Sequence, residues 1–287
     1  MAESVNISAN AKLNLSLDIT GKRPDGYHTV EMVMQSVDIS DTLNITKTDS
    51  QIEFNCNNDE IENDKNLCVK AAQLFFETAE ICGGVQIKLK KKIPIAAGLG
   101  GGSADAAAVL LALNELYNQP FDDEELCDLA LKIGADVPFC LVGGTQLAEG
   151  VGSILSPLPT LNDCAFVIVK SGEKPSTAQM YTKIDSLPED EICHPRTQYL
   201  VDAICEGDNV DAGRYMSNVF NSLWDFAKIR EIMTDCGAGC VSVSGSGPSV
   251  FGFFTDIDDA KSAESKLKGE FDEVYLCEPV DKGCEID

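Results

Sequence analysis

From Val5 to Ile19 every odd position is apolar and every even position is polar. A period of two over that length predicts a strand, bent midway or broken into two. Asn10, Lys12 and Asn14 then share one face. Such a row is either a solvated outer face or the lining of a site for an anionic substrate, and periodicity does not choose between them. Gly21-Lys22-Arg23-Pro24-Asp25-Gly26 is a turn by its glycines and proline. Tyr27 and His28 come next, open to reading as a packing aromatic and a satisfied histidine. An extended stretch from Thr29 to Asp38 and a further strand near Thr42 to Thr48 complete this part.

A helix is expected from Asn66 to Ala79, with Asn66 as its N-cap. Val85, Ile87 and Leu89 alternate with polar residues, which predicts a strand running through Lys90-Lys91-Lys92, read as exposed, into a glycine-rich stretch. After a helix from Ser103 to Asn118, Pro120 stops the chain and Asp122-Asp123-Glu124-Glu125 opens another helix that ends by Gly134. Ala135-Asp136-Val137-Pro138 precedes a short apolar segment, Phe139 to Val142, read as a strand. Asp136 is either a turn stabiliser or a catalytic base.

Pro157 and Pro159 mark a shift in composition near 153–159, so two domains are expected, 1–154 and 155–287. The second half predicts a buried strand at Ala165 to Val169, and helices at Thr197 to Glu206, Val210 to Phe220 and Ala227 to Cys236. Strands follow at 241–243 and at Val250 to Phe254, joined by the glycine loop Ser244-Gly245-Ser246-Gly247-Pro248-Ser249. A helix from Asp259 to Lys268 and a strand from Glu273 to Leu276 close the chain.

Composition narrows the class. Forty-four per cent of the 287 residues are hydrophobic, an ordinary globular content, and the longest apolar run, Ala106 to Leu113, falls short of the roughly 20 residues that span a bilayer. Without a secretory signal at the N-terminus, a cytoplasmic location is expected. The 47 acidic and 22 basic residues give a formal charge of −25, which disfavours nucleic acid and anionic membranes as partners. The 12 cysteines are scattered without a CxxC pair, so they are read as reduced thiols used as small apolar residues.

The stretch with the strongest chemistry is Pro94-Ile95-Ala96-Ala97-Gly98-Leu99-Gly100-Gly101-Gly102-Ser103-Ala104-Asp105. Four glycines before a helix leave backbone N–H groups free to surround an anion, and the first helical turn adds its unpaired amides and positive dipole end. Ser103 stands where an N-cap hydroxyl would, and it could equally face a phosphate or a magnesium ion. The stretch is neither GxxxxGK[ST] nor GxGxxG.

Ala11-Lys12-Leu13-Asn14-Leu15, PIAAGLGGGSADAAA and VSVSGSGPSVFG resemble the motifs of the GHMP kinases, named after galacto-, homoserine, mevalonate and phosphomevalonate kinases. AKLNLSLDITGKRPDGYHTVEMVMQSVDISDTL, GLGGGSADAA and GADVPFC resemble most the members that act on a methylerythritol carrying cytidine diphosphate. The resemblance implies an α+β fold with an N-terminal ATP-binding domain, a C-terminal substrate domain and the active site in the cleft between them. It implies ATP-dependent phosphorylation of a 2-hydroxyl in the non-mevalonate isoprenoid pathway, with Mg2+ as cofactor. The expected partner is a small molecule bearing a cytidine diphosphate group, and the expected assembly is a monomer or weak homodimer.

The resemblance also implies roles. Asp136 in GADVP becomes the catalytic carboxylate and Lys12 its charged partner. Pro94, Ile95, Ala96, Ala97, Gly98, Leu99, Gly100, Gly101, Gly102, Ser103 and Ala104 wrap the ATP phosphates, and Asn66 reaches the adenine. Tyr27 and His28 hold the cytosine, with Tyr181 as a second aromatic wall, while Asn14 and Thr177 contact the substrate. No carboxylate is assigned to the metal, which leaves the ATP phosphates and Ser103. Two rivals stand beside this reading: a family member acting on mevalonate or homoserine, which has no use for DGYH with Tyr181, and an inactive relative that only binds nucleotide.

Overall fold

The computed structural model describes residues 3–63, 65–173 and 175–287. The alternating segment is a single strand, β1 (Ser4–Lys22), and it turns back into β2 (His28–Thr48), its antiparallel partner along nearly its whole length. β2 is continuous where the sequence suggests two strands. A register shift between Asn10 and Ala11 takes up Asp38 and Ile39, so the polar gap is a bulge rather than a break. A second shift, between Asn14 and Ser16, follows, and the two flank Lys12 and Asn14.

Next come β3 (Ile52–Cys56), α1 (Leu67–Ala79), β4 (Gly84–Lys90), α2 (Gly101–Leu116) and α3 (Asp123–Ile133). They are followed by α4 (Val137–Val142), β5 (Thr145–Gly150), β6 (Ile154–Leu158) and β7 (Ala165–Lys170). α1 starts as expected, with the Asn66 Oδ1 accepting from the Cys68 N–H at 2.9 Å. α3 carries a reciprocal capping box between Asp122 and Glu125. The segment at 139–142 is helical, not a strand: Pro138 sits in the first turn, where its missing N–H costs no bond, and the Cys140 N–H donates to the Asp136 carbonyl at 3.1 Å.

The remaining elements are α5 (Thr177–Ile184), α6 (Thr197–Glu206), α7 (Asn209–Tyr215), β8 (Ser217–Asn218), α8 (Ala227–Asp235), β9 (Cys240–Val243), β10 (Ser249–Phe254), α9 (Ile257–Lys268), β11 (Val274–Cys277) and β12 (Cys284–Ile286). The helix expected to reach Phe220 stops at Tyr215. There the chain becomes β8 and a short 3-10 turn, because Asn218 turns its side chain to cap the Phe220 N–H.

The first sheet runs β12-β1-β2-β4-β3, with β5 and β6 continuing from β2 and β8 lying beside β1. The second runs β11-β7-β10-β9. Residue 154 is the first of β6, which pairs with β5 of the first sheet, and β8 and β12 bring the later chain back onto β1. α2 is the central helix of the first half. Its Ala104, Ala106, Ala107, Ala108 and Ala112 are fully buried, and such small side chains let the helix lie close on its neighbours. Phe166, Phe251 and Phe253 join the main core from the second sheet, while α8 and α9 cover a separate core built on Val167, Val169 and Phe254.

All 12 cysteines are free, and burial pushes the thiols of Cys68, Cys140 and Cys277 well up. At these buried positions the thiols behave as small apolar residues, not as nucleophiles, whereas Cys82, Cys193 and Cys205 are exposed.

Candidate active site

The face of β1 that carries Lys12 is not solvated. Lys12 is 4% exposed and Asn14 1%, so an ammonium is held inside the protein and needs partners. It has two: Asn14 Oδ1 at 2.5 Å and Asp136 Oδ2 at 3.7 Å. Asp136 stands at the N-terminal end of α4 with its side chain 36% exposed, making no capping bond. The carboxylate is therefore uncommitted, partly open and next to a fixed positive charge.

Lys12 is tied to the glycine stretch through both backbone and side chain. Its N–H donates to the Leu99 carbonyl at 2.9 Å. Its stem fills the space that a Cβ on Gly100 would occupy, 2.8 Å from Lys12 Cγ. Gly100, at φ +71°, is the N-cap of α2, so the helix begins two residues before the serine expected to start it. Ser103 is therefore in the first turn rather than at the cap. The N-terminus carries no side-chain cap, which leaves first-turn amides open to an external anion.

The second glycine loop is more than a turn between strands. Ser244 Oγ donates to the Gly98 carbonyl at 3.0 Å and accepts from the Asn14 N–H at 3.3 Å, and the Ser249 N–H donates to the Ala97 carbonyl at 3.2 Å. A Cβ on Gly98 would lie 2.3 Å from the Ser244 carbonyl oxygen, which explains glycine there. Asn218 steadies this loop by donating to the Val243 and Gly245 carbonyls, both at 2.8 Å.

Beneath the start of α2 lies a cluster that sequence reasoning missed. Lys91, read as exposed, has a side chain only 8% exposed; its ammonium bonds to Asp41 and, at 2.8 Å, to Asp105. Burial would lower the Lys91 ammonium, but Asp105 and Asp41 outweigh it and raise it. Burial pushes the Asp105 carboxyl up to about 8 against the pull of Lys91. Two carboxylates share one ammonium, and Asp105 is the one that favours keeping a proton. The signal available in sequence was a lone acid inside the alanine run of α2.

One cavity of about 1640 Å³ joins these parts. It is lined by Lys12, Asn14, Asn66, Asp136 and the stretch from Pro94 to Ser103, and on another wall by Tyr27, His28, Thr177 and Tyr181. Ala104 is fully buried and is not part of that lining. Asn66 lines it with its amide committed at both ends, to the Cys68 N–H and, at 3.0 Å, to the Ile61 carbonyl. Tyr27 is 70% exposed. His28 stacks on Tyr181, with ring centroids 4.8 Å apart and planes at 27°, and the edge of Phe220 meets the same tyrosine. Burial, then the charge of Asp136, pushes the Tyr181 hydroxyl up, so it keeps its proton.

Asp185 is a second residue that sequence reasoning passed over. It follows α5, bonding Lys22 Nζ at 2.5 Å and His28 Nε2 at 2.8 Å. No group of three or more His, Cys, Asp or Glu among the described residues could hold a metal ion. No helix among them is long and apolar enough to cross a membrane.

The family model for "GHMP kinases N terminal domain" matches residues 66–144, and "GHMP kinases C terminal" matches residues 200–273. The chain is 41% identical over 282 residues to the 4-diphosphocytidyl-2-C-methyl-D-erythritol kinase of Clostridium botulinum (strain Eklund 17B / Type B), covering 95% of this chain and 99% of that one. A crystal structure of 4-(cytidine 5'-diphospho)-2C-methyl-D-erythritol kinase superposes with a TM-score of 0.79 at 33% identity, over 95% of this chain and 98% of that one. Homoserine kinase from Cytophaga hutchinsonii gives the same TM-score at 22% identity, over 100% and 98% of the two chains, a likeness of fold alone.

Proposed function

The chain belongs to the GHMP kinase family, and from that premise we propose that it transfers the γ-phosphoryl group of ATP to the 2-hydroxyl of 4-diphosphocytidyl-2-C-methyl-D-erythritol. The observation that carries this reading is the make-up of one cavity. An ion pair stands beside an uncapped helix start on one side, and a tyrosine–histidine pair able to hold a flat base stands on the other.

In this reading the phosphates lie against Pro94 to Ser103, where open first-turn amides and absent side chains suit an anion. Magnesium fits only weakly to protein groups. The Ser103 hydroxyl, which lines the cavity, is the protein group that would hold the ion beside the ATP phosphates. When bound, the ion neutralises charge on the transferring group.

Asp136 accepts the proton of the attacking hydroxyl, which is a poor nucleophile until that proton leaves. Lys12, 3.7 Å from Asp136, places its positive charge where it favours negative charge on the attacking oxygen. Asn14, bonded to Lys12, sets the direction of the ammonium. Tyr27 offers a wall for the cytosine and His28, stacked on Tyr181, offers its ring edge, while Thr177 lines the same cavity. Asn66 borders the nucleotide on the α1 side.

The test is ADP release with magnesium and ATP on purified reduced protein, offering 4-diphosphocytidyl-methylerythritol beside mevalonate, homoserine and galactose. Release dependent on the cytidine substrate alone is expected. Turnover of another acceptor would remove the base-binding roles, and nucleotide binding without turnover would point to an inactive relative.

A further inference from the structure

We propose that Asp185 sets the choice of base, by holding His28 as the Nε2–H tautomer so that its Nδ1 accepts from the exocyclic amine of cytosine. The inference rests on the cytidine reading of the same cavity. Its starting point is one carboxylate with two bonds. One oxygen accepts from Lys22 Nζ at 2.5 Å and the other faces His28 Nε2 at 2.8 Å. Burial would raise the Asp185 carboxyl, but its bonds to Lys22 and His28 outweigh this and hold it below the usual range.

An ionised carboxylate only accepts hydrogen bonds, so the proton between Asp185 and His28 is on Nε2. In the neutral ring Nδ1 then carries a lone pair and no proton. Nδ1 has no bonding partner among the described residues. The ring is also fixed in plane, because it stacks on Tyr181 at 4.8 Å and its side chain is only 10% exposed.

Cytosine presents a donor amine at its 4-position, whereas uracil presents a carbonyl oxygen there. A lone pair on Nδ1 pairs with the first and opposes the second. Lys22 completes the arrangement by holding Asp185 from the opposite strand of the β1–β2 hairpin, so the turn that carries Tyr27 and the end of α5 that carries Tyr181 close on the same carboxylate. Asp185 does not need to touch the substrate; it is a positioning residue.

The experiment compares kcat/KM for 4-diphosphocytidyl-methylerythritol with that for its uridine counterpart, in wild-type protein, D185N and D185A, at about pH 8 where imidazoles are generally neutral. Wild-type protein is expected to prefer the cytidine form by about 10- to 100-fold, the range set by one base-edge donor or acceptor left unpaired. An amide at 185 can offer either its oxygen or its NH2 to Nε2, so D185N, like D185A, should cut the preference by at least about tenfold. KM for ATP should hold. The chain has two histidines, so 15N imidazole shifts, assigned with H194Q, read the tautomer directly: Nε2–H in wild type, mixed in D185N. A preference equal in wild type and D185N, as a purely structural role would give, overturns this inference alone. So does an Nδ1–H tautomer in wild type. Failure of wild-type protein to turn over the cytidine form overturns the functional reading and this inference with it.

Discussion

Replacing Asp136 with Asn tests the chemistry at a single oxygen. The change is nearly isosteric, and the side chain it alters makes no capping bond and is 36% exposed. Lys12 loses an ionic partner at 3.7 Å but keeps Asn14 Oδ1 at 2.5 Å, so its buried ammonium is not orphaned. With one partner this open to solvent, the pair contributes at most about 1 kcal/mol to folding. The catalytic cost is larger. A positioned general base contributes about 10²–10⁴ in rate, which at about 1.4 kcal/mol per decade is roughly 3–5.5 kcal/mol of transition-state stabilisation. D136N should therefore melt within a few degrees of wild type and bind a non-hydrolysable ATP analogue within about threefold by calorimetry. Its kcat for ADP release should fall by at least about 10²-fold. A variant retaining kcat within about threefold of wild type would refute Asp136 as the base. Loss of nucleotide binding in parallel with kcat would instead make the carboxylate part of the cradle.

Gly100→Ala places a Cβ 2.8 Å from Lys12 Cγ at φ +71°, so it should cost about 1–3 kcal/mol in a thermal melt and lower kcat by moving the ammonium; unchanged values for both would contradict the packing argument. Tyr27→Ala should raise KM for the cytidine substrate at least about tenfold while leaving KM for ATP within twofold, the expected result of removing one base-stacking ring; equal losses would make the tyrosine structural. Bonds to Asp18, then to Glu189, raise the His194 pKa against burial. Folded protein therefore holds that proton more tightly than the unfolded chain does. The stability gained is complete below about pH 6.5 and is lost as pH rises through the raised folded value. The melting difference between wild type and H194Q should shrink across that window, and a constant difference would contradict it.

Most of the fold was legible because the responsible signals are local. Period-two alternation identified β1, the acids from Asp122 to Glu125 opened α3, and Asn66 capped α1. The errors share a physical cause: each depended on what lies across the fold. Lys91 looks like one member of an exposed lysine run until Asp41 and Asp105, 50 and 14 residues away, converge on it. Phe139–Val142 is apolar enough for a strand, yet Pro138 at a helix start and burial against α2 and α3 make it helical. β12 is too short to show a period, and it exists because β1 offers it a free edge. Within the site, motif residues could be listed from sequence, but their order in space could not. The clearest case is Asp185, a charged residue in an unremarkable helix end whose meaning comes only from Lys22 and His28, more than 150 residues earlier.

The central claim is that one cavity holds ATP at the α2 start and the cytidine substrate at Tyr27 and His28, with the accepting hydroxyl between them at Lys12 and Asp136. A crystal structure of the protein with a non-hydrolysable ATP analogue, magnesium and 4-diphosphocytidyl-methylerythritol tests it most directly. The account predicts the 2-hydroxyl within hydrogen-bond reach of Asp136, phosphates on the amides that follow Gly100, and cytosine beside Tyr27 and His28. A base bound away from His28, or a hydroxyl out of reach of Asp136, would contradict it.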